Sequence, residues 1–133
     1  MRSVALALPV AALMATAAAA EIPKEYRKAI DLHGEVSTSA QTCSEMGFEV
    51  DFAGIIQHRR SLEEAAVADG IDQVEIEAAI DESIDLKYKA LQRRFRGGST
   101  TQANSERYKG WWSRRCKDLA KNEAIAGLIT TQD

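Results

Sequence analysis

Ile71-Asp72-Gln73-Val74-Glu75-Ile76-Glu77-Ala78-Ala79-Ile80-Asp81-Glu82-Ser83-Ile84-Asp85-Leu86-Lys87-Tyr88-Lys89-Ala90-Leu91-Gln92-Arg93-Arg94-Phe95 is the stretch that decides the fold class. Asp72 stands where an N-cap accepts hydrogen bonds from the first free amides of a helix, and Glu75, three residues on, makes an acidic version of the capping box. Ile71 and Ile76 flank that cap at the positions of a hydrophobic staple. Beyond it Ile76, Ile80, Ile84, Tyr88, Leu91 and Phe95 recur every three or four residues, which predicts one apolar stripe on a helix that stops at Gly97-Gly98. At about 1.5 Å per residue this helix is a rod of roughly 36 Å, and it needs partner helices on its apolar side.

Upstream, the same period predicts two such partners. Asp51 is a candidate N-cap for a helix carrying Phe52, Ile55, Ile56, Arg59, Leu62 and Ala66 on one face and ending at Gly70. A first helix starts after Pro23 and carries Tyr26, Ile30, His33, Val36, Ala40, Cys43 and Met46 on one stripe, with Gly47 as its stop and Gly34 and Ser37-Thr38-Ser39 weakening its middle. Strict alternation, the mark of a strand, occurs only in Phe48-Glu49-Val50-Asp51-Phe52, which is short. Downstream, residues 97–104 form a polar loop. A fourth helix begins near Ser105, with Tyr108, Trp111 or Trp112, Cys116 (or Arg115) and Leu119 inward. A last helical piece runs from Glu123 to about Ile129, with Gly127 allowing close backbone approach. The expectation is an all-α domain over residues 21–133: a small bundle of four to five helices closed by one disulfide.

Residues 1–20 have the three parts of a cleavable signal peptide. Met1 and Arg2 give a positive start, Val4 to Ala15 an uncharged apolar stretch, and Ala18-Ala19-Ala20 the small-residue pattern that signal peptidase reads. The apolar stretch is short and Ala-rich for a bilayer span, and Pro9 interrupts it. The expected location is therefore periplasmic or secreted, without a transmembrane segment after cleavage. In an oxidising compartment Cys43 and Cys116, the only two cysteines, read as a disulfide. There is no C-x-x-C pair to suggest redox chemistry instead.

The chain has 17 basic and 20 acidic residues, a net charge of −3. These are segregated: residues 21–85 hold 16 acidic and 5 basic residues, and residues 86–121 hold 2 acidic and 11 basic. Part of this order serves the helix macrodipole and the Asp85–Lys89 pair. The rest suggests a basic and aromatic binding surface built from Arg93, Arg94, Arg96, Arg107, Lys109, Trp111, Trp112, Arg114 and Arg115, with Lys117 beside them. Cations interleaved with aromatic faces suit anionic partners: an acidic protein, anionic lipid or anionic glycan. Export and a net-negative domain set nucleic acid aside.

Neither histidine has a second ligand at i+3 or i+4, and there is no G-x-S-x-G, H-E-x-x-H, phosphate-binding glycine loop or EF-hand. No catalytic residue, metal or cofactor is expected. His33 reads as a buried or boundary residue of the first helix, and His58, beside Arg59 and Arg60, as exposed.

Cys43, then Gly70-Ile71-Asp72-Gln73-Val74-Glu75-Ile76-Glu77, then Cys116-Lys117-Asp118-Leu119-Ala120-Lys121 and Ile125-Ala126-Gly127-Leu128-Ile129 form an ordered set. This order resembles a family of small exported alphaproteobacterial proteins classed as a domain of unknown function. The resemblance implies a helical, disulfide-linked periplasmic protein, and it implies no activity or site residues. The leading expectation is a non-enzymatic periplasmic protein that acts by binding another protein of the cell envelope. Alternatives are an immunity or inhibitor protein directed against a hydrolytic enzyme, and an acid- or envelope-stress chaperone, with a small hydrolase behind them.

Overall fold

The computed structural model describes residues 21–95 and 102–132, the side chains of the second segment from Ser105 onward. Residues 1–20, expected to be a signal peptide, Arg96, and Gly97-Gly98 with most of the expected polar loop lie outside the described residues. The chain forms α1 (Lys24–Glu45), β1 (Glu49–Val50), α2 (Phe52–Ala68), α3 (Gln73–Arg94), α4 (Gln102–Lys121), a 3-10 turn (Glu123–Ile125) and β2 (Ile129–Thr130). It is an all-α bundle of four helices, closed by the Cys43–Cys116 disulfide.

The capping chemistry of the sequence sets the element ends. Asp72 accepts from the Val74 and Glu75 amides at 3.1 and 3.3 Å, and Asp51 from the Gly54 amide at 2.8 Å, so α3 and α2 each begin on a carboxylate. α1 and α2 end alike: Gly47 and Gly70 take φ of 94° and 91°. The following amides, of Phe48 and Ile71, then reach back to the carbonyls of Cys43 and Ala66, both at 3.0 Å. This is the Schellman arrangement, and Phe48 and Ile71 pack inward beside it.

α1 is the central element and touches α2, α3, α4 and β1. It runs parallel to α3, where Ser83 Oγ donates to the Ile30 carbonyl at 3.2 Å and Lys87 Nζ bonds Asp31 at 2.8 Å. It runs antiparallel to α2, where the Tyr26 hydroxyl bonds the Ala65 carbonyl and the Asp69 carboxylate. Two of the residues that weaken its middle as an isolated helix are buried contacts in the bundle. Gly34 lies under α3, where a Cβ would collide with Ser83 Oγ, and Ser39 is buried beneath α4.

The apolar side chains form two clusters. The lower one holds Ile30, Leu62, Ala66, Ile76 and Ile80. The upper one gathers Val36, Ala40, Ile55, Trp112, Leu119, Ile125 and Ile129 around the disulfide. Complete burial of side chains such as Ile76 and Ile80 contributes about 1.5–3 kcal/mol each.

Two expectations about faces fail for one reason. The predicted α3 stripe advances in steps of four, and each step drifts about 40° round a helix of 3.6 residues per turn. Tyr88 ends up off the buried face, 55% exposed, while Ser83 and Lys87 take the strip beneath α1. On α2 the same geometry leaves Phe52 46% and Ile56 63% exposed, and Ile55, Leu62 and Ala66 buried. The last element also differs from a helix. The 3-10 turn ends at Ala126, Gly127 reverses the chain at φ 86°, and Ile129–Thr130 pairs antiparallel with Glu49–Val50, the segment that alternates in sequence. Nothing packs where a Gly127 Cβ would sit, so this glycine serves a turn and not a close approach.

Candidate functional site

The last turn of α3 and the middle of α4 meet over the upper cluster. On α4 the residues Tyr108, Trp111, Trp112, Arg115, Cys116 and Leu119 follow helical spacing. Trp112, Cys116 and Leu119 point into the core, while Tyr108, Trp111 and Arg115 occupy the boundary. Phe95 joins them from α3. Its ring centroid lies 4.9 Å from Tyr108 and 5.3 Å from Trp111, both edge-on, and the two indoles are 5.1 Å apart. Such pairs favour offset and edge geometry because ring edges are positive and ring faces negative.

Two guanidinium groups use the negative face of Trp111. The Cζ of Arg94 is 4.6 Å and that of Arg115 5.4 Å from its centroid. Arg115 is held in place, since its Nε donates to Ser39 Oγ at 2.8 Å. Burial pushes its pKa down, and the Glu35 carboxylate opposes that; an arginine remains cationic throughout. Beside it opens a cleft of about 350 Å³ that includes Glu35, Trp111, Arg114, Arg115 and Asn122 in its wall. Among the described residues the ion pairs all involve Arg59, Lys87 or Lys89, and none forms on Arg93, Arg94, Arg107, Lys109, Arg114, Arg115 or Lys117.

The structure thus brings together part of the sequence-derived basic and aromatic set. Trp111, Arg94 and Arg115 are in contact, and Arg114 lines the same cleft. Arg93, Arg107 and Lys109 are exposed without a contact that ties them to Trp111. Trp112 departs from that set. It is 3% exposed, a core residue, and its buried Nε1 has no hydrogen-bond partner among the described residues. Arg96 lies outside them.

A second polar constellation escaped the sequence. His58 is not exposed: it meets His33 edge to edge across the α1–α2 seam, with ring centroids 5.1 Å apart, planes within 12° and the two Nδ1 atoms 2.9 Å apart. Ser37 Oγ lies 3.1 Å from His33 Nε2. Burial, with His58 and Arg59 adding to it, lowers the pKa of His33 to about 4, and burial lowers that of His58 as well. The only hint in the sequence was the place of His33 on an apolar stripe, since the meeting of two helices in register has no local signature.

Among the described residues no group of three or more His, Cys, Asp or Glu is placed to hold a metal ion, and no helix is long and apolar enough to cross a membrane. A wider groove of about 1070 Å³ runs between the start of α1 and α3, with Ile22, Arg27, Ala79, Glu82 and Leu86 in its walls. It carries both signs of charge. No protein-family model matches the chain, and no curated protein or solved structure matches it either.

Proposed function

We propose that this chain is an exported, non-enzymatic helical protein that works by binding an acidic surface of another envelope protein, with the Trp111 cleft as its contact. The observation that carries this reading is the arrangement of Arg94 and Arg115 over a half-buried indole, with no carboxylate bonded to either among the described residues. A guanidinium fixed by an aromatic face and a hydroxyl is already oriented, so an incoming carboxylate meets a donor fork that loses little freedom on binding. Indole and arginine are also the side chains that most often dominate protein interfaces. Export is supported by the leader sequence and by the closed Cys43–Cys116 bridge, which suits an oxidising compartment.

Poly-L-glutamate serves as the probe, with tryptophan fluorescence as the signal. Saturable binding is expected at low salt, weakening as salt screens the charges. Arg94→Gln combined with Arg115→Gln should lower the affinity at least tenfold, with helix content unchanged. Equal binding by that double variant, or none by the parent chain, counts against the reading. Pull-downs from periplasmic extract extend the test: a captured protein should be lost with the same double variant. Vesicles containing anionic lipid separate a membrane partner from a protein one.

A further inference from the structure

His33 and His58 sit where the two apolar clusters meet. On α1, His33 lies one turn from Ile30 of the lower cluster and one turn from Val36 of the upper. On α2, His58 stands in the same relation to Leu62 and Ile55. The layer between two dry cores is therefore a pair of imidazoles joined by one hydrogen bond, with Nδ1 to Nδ1 at 2.9 Å. That bond exists only while one Nδ1 carries a hydrogen and the other does not. Both tautomeric arrangements satisfy it, because the Ser37 hydroxyl can donate to or accept from His33 Nε2.

Among the described residues no carboxylate is bonded to either ring. On α1, Asp31 and Glu35 are engaged by Lys87 of α3 at 2.8 and 3.6 Å. On α2, Arg59 stands beside the pair and is itself held by Glu63 and by Asp81 of α3. From α4 the charge presented to this part of α1 is Arg115, bound to Ser39. The nearest cation, Arg59, opposes a second positive charge on either ring.

We propose that the His33–His58 contact is an acid-released latch between α1 and α2. A first added proton enters at the free Nε2 of the pair; it keeps the N–H···N bond but charges a buried site beside Arg59. A second puts hydrogen on both Nδ1 atoms, so the bond is lost and two cations face each other across the seam. The lower half of α2 then parts from α1 and α3, and Ile30, Leu62, Ala66, Ile76 and Ile80 lie open. The disulfide and the β1–β2 pair tie the opposite end of the seam, which makes the N-terminus of α2 the hinge. The latch does not depend on what the Trp111 cleft binds.

The direction follows from linkage. A ring whose pKa is about 4 in the latched state and near 6.5 when released takes up its proton only on opening between those values. The latch is at full strength above pH 6.5, weakens as pH falls towards 4, and loses nothing further from His33 below that. The difference amounts to a factor of up to about 300 in the opening constant from His33 alone. His58, whose pKa burial also lowers, adds to this slope in the same direction, above the range where ordinary carboxylates titrate.

Amide hydrogen exchange along α2, corrected for intrinsic rates, tests this in the full chain at pH 7, 6 and 5. The expected result is an opening constant that rises as pH falls, more steeply than one ring alone can give. His58→Gln keeps an amide able to bond His33 Nδ1 and should reduce the slope to one proton at most. A pH-independent opening constant in the parent chain, or an undiminished slope in His58→Gln, overturns the proposal. If that variant does not fold, the ring C–H resonances of the parent chain decide: both rings should titrate below the ordinary histidine value, and a midpoint near 6.5 for either refutes the latch.

Discussion

Opening the Cys43–Cys116 bridge should cost about 4 kcal/mol of stability. The bridge joins the last turn of α1 to the middle of α4 across a sequence separation of 73. The chain-entropy relation gives about 15 cal/mol/K for a loop of that size, which is about 4 kcal/mol at 25 °C. Net stabilities of single domains are only about 5–15 kcal/mol, so this is a large share. The cleanest comparison is the oxidised chain against the same chain reduced, by urea unfolding followed through Trp111 and Trp112. The midpoint should fall, and the m-value should rise because the released denatured chain exposes more surface. In a thermal melt the loss corresponds to a fall of about 15–20 °C. Replacing both cysteines by alanine adds a packing penalty, since both sulfurs are buried in the upper cluster. A reduced chain within about 1 kcal/mol of the oxidised one would refute the reasoning. It would show that the denatured state already holds α1 and α4 together, or that the bundle closes without the tie.

Other perturbations probe separate features. Gly34→Ala should destabilise by about 1–3 kcal/mol, because its Cβ meets Ser83 Oγ; the loss should shrink in a Ser83→Ala background, as a double-mutant cycle can measure. Asp72→Ala removes the N-cap of α3 and should cost about 1 kcal/mol in urea unfolding, with Asp72→Asn costing only a fraction of that. Arg115→Ala strips Ser39, which is fully buried, of its bonded donor and Trp111 of a cation. A loss of about 1–3 kcal/mol is expected, together with a changed Trp111 emission; an unchanged spectrum contradicts the stacked geometry. Conversion of His33 and His58 together to glutamine should flatten stability between pH 7 and 5, where the parent chain loses it. The His33 share of that loss is bounded at about 2 kcal/mol over this range and lowered by solvent screening at the His58 side.

Element ends were legible because they are set locally. An aspartate before a helix and a glycine after it act through bonds spanning two to five residues, and Asp51, Asp72, Gly47 and Gly70 do what such residues do alone. The disulfide was legible from the count of two cysteines and from the export expected of residues 1–20. Faces were less so. Ile56 and Tyr88 recur with helical spacing in the sequence, yet a step of four drifts, and only the neighbouring helix decides where the buried strip runs. Gly34 and Ser39 looked like weak points in α1 for the same reason, since their value lies in what crosses above them. Within the candidate site, the choice between Trp111 and Trp112 depends on about 100° of rotation of α4. That rotation is fixed by Cys116 reaching Cys43. The histidine pair required the register of two antiparallel helices, which no run of residues records.

The two clusters also differ in how far along the chain their members are spread. Every residue of the lower cluster, from Ile22 to Ile84, lies in the first three helices or the short segments that flank them, whereas the upper one waits for Trp112, Ile125 and Ile129. β1 likewise finds its only described neighbour in β2, across the whole of α2, α3 and α4. Contacts close in sequence form sooner than distant ones. A nascent chain can therefore settle α1, α2 and α3 early, but Glu49 and Val50 stay unpaired until Ile129 and Thr130 arrive. Pulse-labelled exchange during refolding should accordingly protect Ile76 and Ile80 before Asp51, whose amide donates to the Leu128 carbonyl at 2.9 Å; simultaneous protection would contradict this order. The strand pair, the smallest element of the fold, thereby marks the moment at which assembly is finished.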